Sequence, residues 1–224
     1  MIERKSKFSL IELLVVISIV MILMSILLPA LNAAKGQARR ISCASNLKQL
    51  GTCFYSYYDD YKVMPPTYDN YTDDLQKGYW TKYLADANLL IITNNSTWPQ
   101  AYNCKLLYCP ADNVVASSDG LNHWSYGMNF KLAILMGLTT PTANHQNRKS
   151  AFIDPARING ISGRILLGDD SEDYTGMLYD PGDIGYPVDN YRHNLGANFL
   201  YLDGHVAYQR APIANYSYAF GITQ

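Results

Sequence analysis

The stretch Phe8-Ser9-Leu10-Ile11-Glu12-Leu13-Leu14-Val15-Val16-Ile17 opens an apolar run that continues to Leu31 and holds a single charge, Glu12. About 20 apolar residues are enough for a helix to cross a bilayer. A carboxylate inside such a helix is costly and usually has a function. A secretory signal peptide has a shorter apolar core, of about 7–15 residues, closed by a small-residue cleavage site. The sequence therefore predicts a basic leader over 1–7 and a transmembrane segment over 8–31.

The charges that flank the apolar run predict its orientation. Three cations precede it, namely Arg4, Lys5 and Lys7. Positive residues beside a membrane segment stay on the cytoplasmic side, and the first flank usually dominates over cations that follow the run. We therefore expect a single-pass protein of the cell inner membrane, with a cytoplasmic N-terminus and a periplasmic or extracellular head.

An amphipathic pattern extends the predicted helix beyond the apolar run. Apolar and aromatic residues recur at spacings of three and four, which is typical of a helix with one buried face. They are Ala34, Ala38, Ile41, Ala44, Leu47, Gly51, Phe54, Tyr58 and Tyr61. Residues 32–64 are thus predicted to form the half of one long helix that packs on a head. Pro29 lies inside this helix, where its missing N–H favours a kink or marks the boundary between the two halves.

Residues 65–224 are predicted to form a globular, β-rich head. The chain has 18 Lys and Arg against 19 Asp and Glu, so nucleic-acid binding driven by bulk charge is not expected. Its 19 tyrosines favour strands. Ile165-Leu166-Leu167, followed by Gly168-Asp169, predicts a buried strand that ends in a loop. Two β-prone runs, 197–202 and 205–208, flank Asp203-Gly204 and predict a hairpin with a two-residue turn.

Both ends of the chain resemble a known family. Phe8 at the first apolar position, with Glu12 four residues later, resembles the cleavage and methylation segment of type IV pilins and type II secretion pseudopilins. His193, nine residues and then Asp203-Gly204 resemble the C-terminal signature of prepilin-type, processing-associated proteins. Three further segments agree with that family, namely Cys43-Ala44-Ser45-Asn46-Leu47-Lys48-Gln49, Tyr108-Cys109-Pro110 and Ser125-Tyr126-Gly127-Met128-Asn129.

The resemblance implies an α+β pilin-like fold, with a long N-terminal helix packed on a small antiparallel sheet. It implies a subunit of a type II secretion pseudopilus or a type IV pilus-like filament. The sequence has no nucleophile motif and no phosphate-binding glycine loop, so an enzyme is not expected. The implied partners are other pilin-like subunits, a prepilin peptidase, an inner-membrane assembly platform and the lipid bilayer. Cleavage would fall between Lys7 and Phe8, and Glu12 and Pro29 would act in assembly. The alternatives are a membrane-anchored envelope binding protein that does not polymerise and, more weakly, a competence-type pseudopilin for DNA uptake.

Lys7 departs from the pattern of that family, in which a glycine precedes the aromatic residue. A long cation fits poorly in a peptidase site shaped for a residue without a side chain. Three outcomes therefore stay open: inefficient cleavage, a peptidase that tolerates Lys7, or an uncut protein. Methylation of the Phe8 amine depends on which of them holds.

Two groups of side chains are candidate cation sites. The densest acidic cluster contains Asp169, Asp170 and Asp173, which could supply oxygen ligands for calcium, the one cofactor we consider. The alternative is a solvated acidic loop. His193, Asp203 and His205 could likewise be metal ligands. The alternative is that the hairpin explains Asp203 and Gly204, while His193 caps or buttresses the turn.

The four cysteines allow several pairings. Cys43 and Cys53 lie ten residues apart on one predicted helix, roughly 15 Å along its axis, which is too far for a disulfide. An oxidising envelope favours pairing of both with Cys104 and Cys109. Because Cys43 and Cys109 fall in the family-like motifs, the resemblance favours Cys43–Cys109, which leaves Cys53–Cys104. A single Cys104–Cys109 bridge and four free thiols are the alternatives.

Overall fold

The computed structural model describes residues 9–66, 80–91, 104–112, 124–129, 132, 153–169, 177–178 and 192–210. Its helices are α1 (Leu10–Tyr61) and α2 (Trp80–Asp86), and short 3₁₀ turns cover Lys105–Leu107, Pro155–Arg157 and Ile161–Gly163. The strands are β1 (Tyr126–Asn129), β2 (Ile165–Asp169), β3 (Met177–Leu178), β4 (Gly196–Tyr201) and β5 (Val206–Arg210). The chain divides into two compact units, Met1–Ala38 and Arg39–Gln224. The long helix with a small sheet confirms the predicted α+β pilin-like architecture.

Helix α1 is 52 residues long and stays helical through Pro29. In the second unit one stripe of its surface is buried, formed by Cys43, Leu47, Leu50, Gly51, Phe54 and Tyr57. Spacings of three and four place these residues on one face. The predicted stripe was correct at Leu47, Gly51 and Phe54. It was wrong at Ala34 and Ala38, which are exposed, and at Ile41 and Tyr61, which are 59% and 54% exposed.

The end of α1 is set by a backbone reversal before the two prolines. Lys62 adopts a positive φ of 58°, and its N–H donates to the Tyr58 carbonyl at 2.8 Å. A left-handed residue just past the last turn is a common way for a helix to stop. Met64 then pairs with Ile153 through two backbone hydrogen bonds of 2.6 and 3.2 Å. This bridge returns the chain to the head.

The sheet has the strand order β3-β1-β2-β4-β5. Four strands, β1, β2, β4 and β5, pair antiparallel, as predicted, and the two-residue β3 runs parallel to β1 at one edge. Strand β2 lies in the middle and is buried along its whole length. Its last residue, Asp169, is opposite Tyr126, so the predicted strand extends two residues further than Leu167.

Helix α1 lies close to the sheet at Gly51. A Cβ atom at this position would lie 3.0 Å from Leu200 Cδ1, so the helix rests directly on strand β4. One turn further along the same face, the rings of Phe54 and Trp80 lie 5.4 Å apart, which packs α2 against α1. The hydrophobic core therefore lies between the second half of α1, α2 and the sheet.

The C-terminal hairpin has a longer turn than the sequence predicts. The Gly204 N–H donates to the Tyr201 carbonyl at 2.9 Å, and the Tyr201 N–H donates to the His205 carbonyl at 2.9 Å. Gly204 has a φ of 85°, whereas Asp203 stays at negative φ. A two-residue Asp-Gly turn would need positive φ at both positions. The chain instead forms a three-residue loop over 202–204 that ends on a left-handed glycine.

We predict that Gly196→Ala destabilises the head. A Cβ at Gly196 would overlap the Gln209 backbone carbonyl and the Tyr208 hydroxyl, and neither can withdraw without disturbing β5. Overpacking of this kind costs about 1–3 kcal/mol. The measurement is thermal unfolding of the full-length protein in detergent.

Gly36→Ala is the matched control for Gly196→Ala, because a Cβ at Gly36 would have nothing within 4 Å. Alanine in place of an exposed helical glycine is neutral or stabilises by up to about 1 kcal/mol. If the two variants melted at the same temperature, the structure around Gly196 would accept a methyl group without strain, and the prediction would be wrong.

Candidate functional site

The N-terminal end of α1 contains the glutamate half of a capping box. The backbone N–H of Ser9 donates to Glu12 Oε2 at 2.8 Å. The first backbone N–H groups of a helix have no hydrogen-bond acceptor within the helix. A serine before the helix and a glutamate three residues later can supply acceptors for them. Glu12 therefore has a local structural role that the Ser-x-x-Glu spacing signals and that the sequence analysis missed. Lys7 and Phe8 lie outside the described residues, so the cleavage position stays a prediction.

The first turns of α1 present an apolar surface on every side. From Leu10 to Leu31 the large apolar side chains are between 41% and 80% exposed. One helix of the described chain, α1, is long and apolar enough to cross a membrane. A helix that is hydrophobic all round needs an apolar environment, which lipid or neighbouring helices can supply. In the second unit, by contrast, α1 has a buried face and a polar face.

A disulfide ties α1 to the segment after the first 3₁₀ turn. Cys43 is bonded to Cys109, and their Cα atoms lie 5.0 Å apart. This confirms the first predicted pairing and excludes the Cys104–Cys109 alternative. The predicted Cys53–Cys104 bridge is wrong in this structure, where both are free thiols. The Cys53 thiol instead donates to the Leu89 carbonyl at 3.2 Å, and burial, with the nearby Cys104, raises its pKa.

A buried cluster of charged and polar groups lies against this disulfide. His193 Nε2 is 3.4 Å from Cys109 Sγ and 3.2 Å from Asp169 Oδ2. The same carboxylate oxygen accepts the Asn198 N–H at 2.7 Å. Arg192 Nη1 lies 3.9 Å from the other oxygen, Oδ1. The side chains of His193 and Asp169 are fully buried, so the carboxylate depends on these donors rather than on water.

Arg192 extends the cluster to two neighbouring segments. Its Nη2 lies 3.0 Å from Asp112 Oδ2, and its Nη1 donates to the Ser125 carbonyl at 2.9 Å. The Ser125 hydroxyl donates to Asp112 at 2.7 Å and accepts the Cys109 N–H at 2.8 Å. One hydrogen-bonded network thus joins the disulfide, the start of β1 and the residues before β4.

Contacts from α1 complete the surroundings of the cluster. Asn46 Nδ2 donates to the Tyr108 carbonyl at 3.0 Å, and the Tyr126 hydroxyl donates to the Cys43 carbonyl at 3.4 Å. Burial, followed by the charge of Asp169, raises the pKa of the Tyr126 hydroxyl. Tyr126 therefore stays neutral throughout the physiological range.

The structure separates the histidines and aspartate that were considered together as metal ligands. His193 contacts Asp169 and Cys109 rather than the hairpin turn, so its predicted buttressing role is wrong. Asp203 instead pairs with His205, whose Nδ1 lies 2.5 Å from Asp203 Oδ1. In the described part of the chain, these three residues do not form a metal-binding group. The signature residues therefore lie in two different parts of the head: His193 in the buried cluster and Asp203 in the hairpin turn.

The calcium prediction is corrected at Asp169 and untested elsewhere. Asp169 is buried at the end of β2 and faces Arg192 and His193, rather than lying in an acidic loop. Both neighbours are nitrogen groups that pair with the carboxylate, whereas calcium needs several free oxygen ligands. Asp169 is therefore a poor calcium ligand. Asp170 and Asp173 lie outside the described residues.

The model of a family of proteins of unknown function, DUF1559, matches residues 32–154, more than half of the chain. The chain belongs to this family. The DUF1559 match contains Cys43, Cys109, Asp112 and Ser125, whereas the three buried partners Asp169, Arg192 and His193 lie C-terminal to it. No curated protein and no solved structure matches the chain.

We predict that this DUF1559 protein contains one native disulfide and depends on it. Replacing Cys43 and Cys109 together by serine should lower the stability of the head by about 2–5 kcal/mol. Denaturant unfolding of the full-length protein in detergent measures the loss. The control is Cys53→Ser with Cys104→Ser, which removes two free thiols. Peptide mapping under non-reducing conditions that found Cys53–Cys104 would contradict the assignment.

A second prediction concerns how the stability of the head falls at acidic pH through Asp203. Burial acts to raise the pKa of the Asp203 carboxyl, but hydrogen bonds from the His205 backbone N–H and imidazole outweigh it and lower the pKa below its ordinary 3.8. A lowered pKa stabilises the fold above 3.8, and this contribution is lost as pH falls through the folded-state pKa.

Asp203→Asn keeps the Oδ1 acceptor that receives the His205 N–H and removes the charge. We expect the wild type to melt at a higher temperature at neutral pH and the difference to shrink below pH 3.8. A difference that stayed constant down to low pH would show that the charge of Asp203 is not responsible.

Proposed function

We propose that this protein is a structural subunit of a pilin-like filament, either a type II secretion pseudopilus or a type IV pilus-like fibre. The observation that carries the proposal is the first half of α1, which is apolar on all sides and bears one carboxylate in its first turn. Such a surface is satisfied by lipid before assembly and by the same segment of neighbouring subunits afterwards.

The position of Glu12 supports assembly rather than plain anchoring. An anchor needs no charge within its apolar segment, and an ionised carboxylate left alone in hydrocarbon costs several kcal/mol. The Ser9 N–H satisfies one oxygen of Glu12 by a hydrogen bond, but a neutral amide supplies no opposite charge. We propose that the free α-amino group of Phe8 on a neighbouring subunit neutralises it and sets the axial register.

The rest of the proposal follows from that pairing. It requires cleavage between Lys7 and Phe8 by a prepilin peptidase that accepts lysine, because an uncut leader would crowd the bundle of helices. The subunit would enter the cell inner membrane with a cytoplasmic N-terminus, and an inner-membrane platform would draw it into the filament. Its head would lie in the periplasm or outside the cell.

The head of the second unit is suited to a structural role. The disulfide and the buried cluster around Asp169 fix α1, β2 and β4 to one another. A filament subunit must keep the relation between its helix and its head constant, since each copy is placed by its neighbours. A covalent bond between helix and head serves that requirement.

The decisive variant is Glu12→Gln. Glutamine also functions at the third position of a capping box, so the Ser9 hydrogen bond can be kept while the charge is removed. We expect normal membrane insertion and at least a tenfold loss of incorporation into filaments, measured after the filaments are sheared from the cells. A tenfold loss corresponds to about 1.4 kcal/mol of contact energy lost per subunit.

Ser9→Ala is the control, since it retains the backbone N–H that bonds to Glu12 and changes no charge. N-terminal sequencing of the membrane-extracted protein, by mass spectrometry, checks cleavage in the same samples. If Glu12→Gln assembled as well as Ser9→Ala, the carboxylate would be incidental, and the membrane-anchored binding protein would replace the filament subunit as the proposed function.

A further inference from the structure

The disulfide lies beside two groups that commonly bind metal ions. The sulfur atoms of Cys43 and Cys109 and a ring nitrogen of His193 all lie within 4.8 Å of one another, and all three residues are buried. Asp169 Oδ2 lies 3.2 Å from the same histidine nitrogen. Two thiols and an imidazole therefore converge on one point whenever the disulfide is not formed, and a carboxylate lies on the far side of the imidazole nitrogen.

We propose that the reduced head binds one zinc ion through Cys43, Cys109 and His193, with water as the fourth ligand, at the place that the disulfide occupies after oxidation. The site would exist in the newly made chain, before its thiols meet an oxidant. It would hold α1 to the segment around Cys109 with the same connectivity as the disulfide.

The present distances fit a tetrahedral zinc site with three protein ligands. Zinc–sulfur bonds of about 2.3 Å and zinc–nitrogen or zinc–oxygen bonds of about 2.0–2.2 Å place neighbouring ligand atoms about 3.3–3.8 Å apart. His193 Nε2 lies 3.4 Å from Cys109 Sγ. Only the two sulfur atoms, bonded to each other in the oxidised head, would have to separate.

The Asp169 carboxylate adds negative charge beside the three ligands. Asp169 Oδ1 is buried and has no hydrogen-bond partner among the described residues, and Arg192 Nη1 stands 3.9 Å away. Two thiolates, one carboxylate and a divalent zinc ion leave one net negative charge, beside which the Arg192 guanidinium already lies. Zinc also prefers this mixture of sulfur and nitrogen ligands over an all-oxygen set.

Protons, electrons and bonds balance both when zinc binds and when it is released. The two thiols lose two protons as Zn²⁺ binds, which gives two zinc–sulfur bonds. A disulfide oxidant, RSSR, then takes two electrons from the bound thiolates. The Cys43–Cys109 bond forms, the bond within the oxidant breaks to give two RS⁻, and Zn²⁺ leaves. The zinc and disulfide states are therefore mutually exclusive.

The test uses the full-length protein in detergent with Cys53→Ser and Cys104→Ser, so that Cys43 and Cys109 are its only thiols. The protein is reduced with a phosphine, and cobalt(II) is added as a coloured substitute for zinc. We expect one cobalt per chain with a thiolate-to-cobalt charge-transfer absorption, and none in the oxidised protein. Zinc should displace the cobalt and bleach the absorption.

His193→Gln in the same background should weaken binding by more than about tenfold, whereas His205→Gln, in the exposed turn, should leave it unchanged. Absence of the absorption in the folded reduced protein, or equal affinity in the two histidine variants, would overturn the proposal. Near-ultraviolet circular dichroism follows the fold. If the reduced protein is unfolded without metal, zinc must restore the folded signal, because metal and folding are coupled at such a site, and its failure to do so would also overturn the proposal.

Discussion

The carboxylate of Asp169 is sealed from water in the centre of the head, and the surrounding structure is arranged to compensate it. An isolated buried charge is strongly unfavourable, so it must be paired and hydrogen-bonded. The Asn198 N–H supplies a donor from β4, while His193 and Arg192 supply two side chains from the residues just before that strand. Arg192 in turn needs Asp112. Three separated segments are thereby held in one arrangement, because loss of any partner would leave a charge without compensation.

The helix could be predicted from the sequence because its signal is local. An apolar run of about 20 residues, followed by a three-and-four spacing, specifies α1 without knowledge of the head, and Leu47 and Phe54 were correctly placed in the core. Periodicity alone does not show how far along the helix the head extends. Ile41 and Tyr61 share the apolar face, but the head does not cover them, and both remain exposed.

The buried cluster could be predicted only in part. The Cys43–Cys109 bridge followed from two family-like motifs, but its charged neighbours come from positions that are distant along the chain. Asp169 was assigned to an acidic loop because it adjoins Asp170, whereas the fold extends β2 to include it. The adjacent Arg192 and His193 were a usable signal, since an arginine next to a histidine just before a buried strand invites an acidic partner. Which aspartate it would be depends on the sheet register.

The position of the disulfide has a mechanical consequence. Cys43 is the first residue of α1 that the head buries, and its bond to Cys109 is covalent. Tension that reaches the head along α1 from its N-terminal side therefore meets a covalent crosslink before it meets the packing of Leu47, Leu50 and Phe54. Non-covalent helix packing yields to a sustained pull one contact at a time, whereas a disulfide passes the force on to the chain segment behind it. Peeling of α1 away from the sheet would thus be blocked at Cys43, before it reaches the rest of the buried stripe.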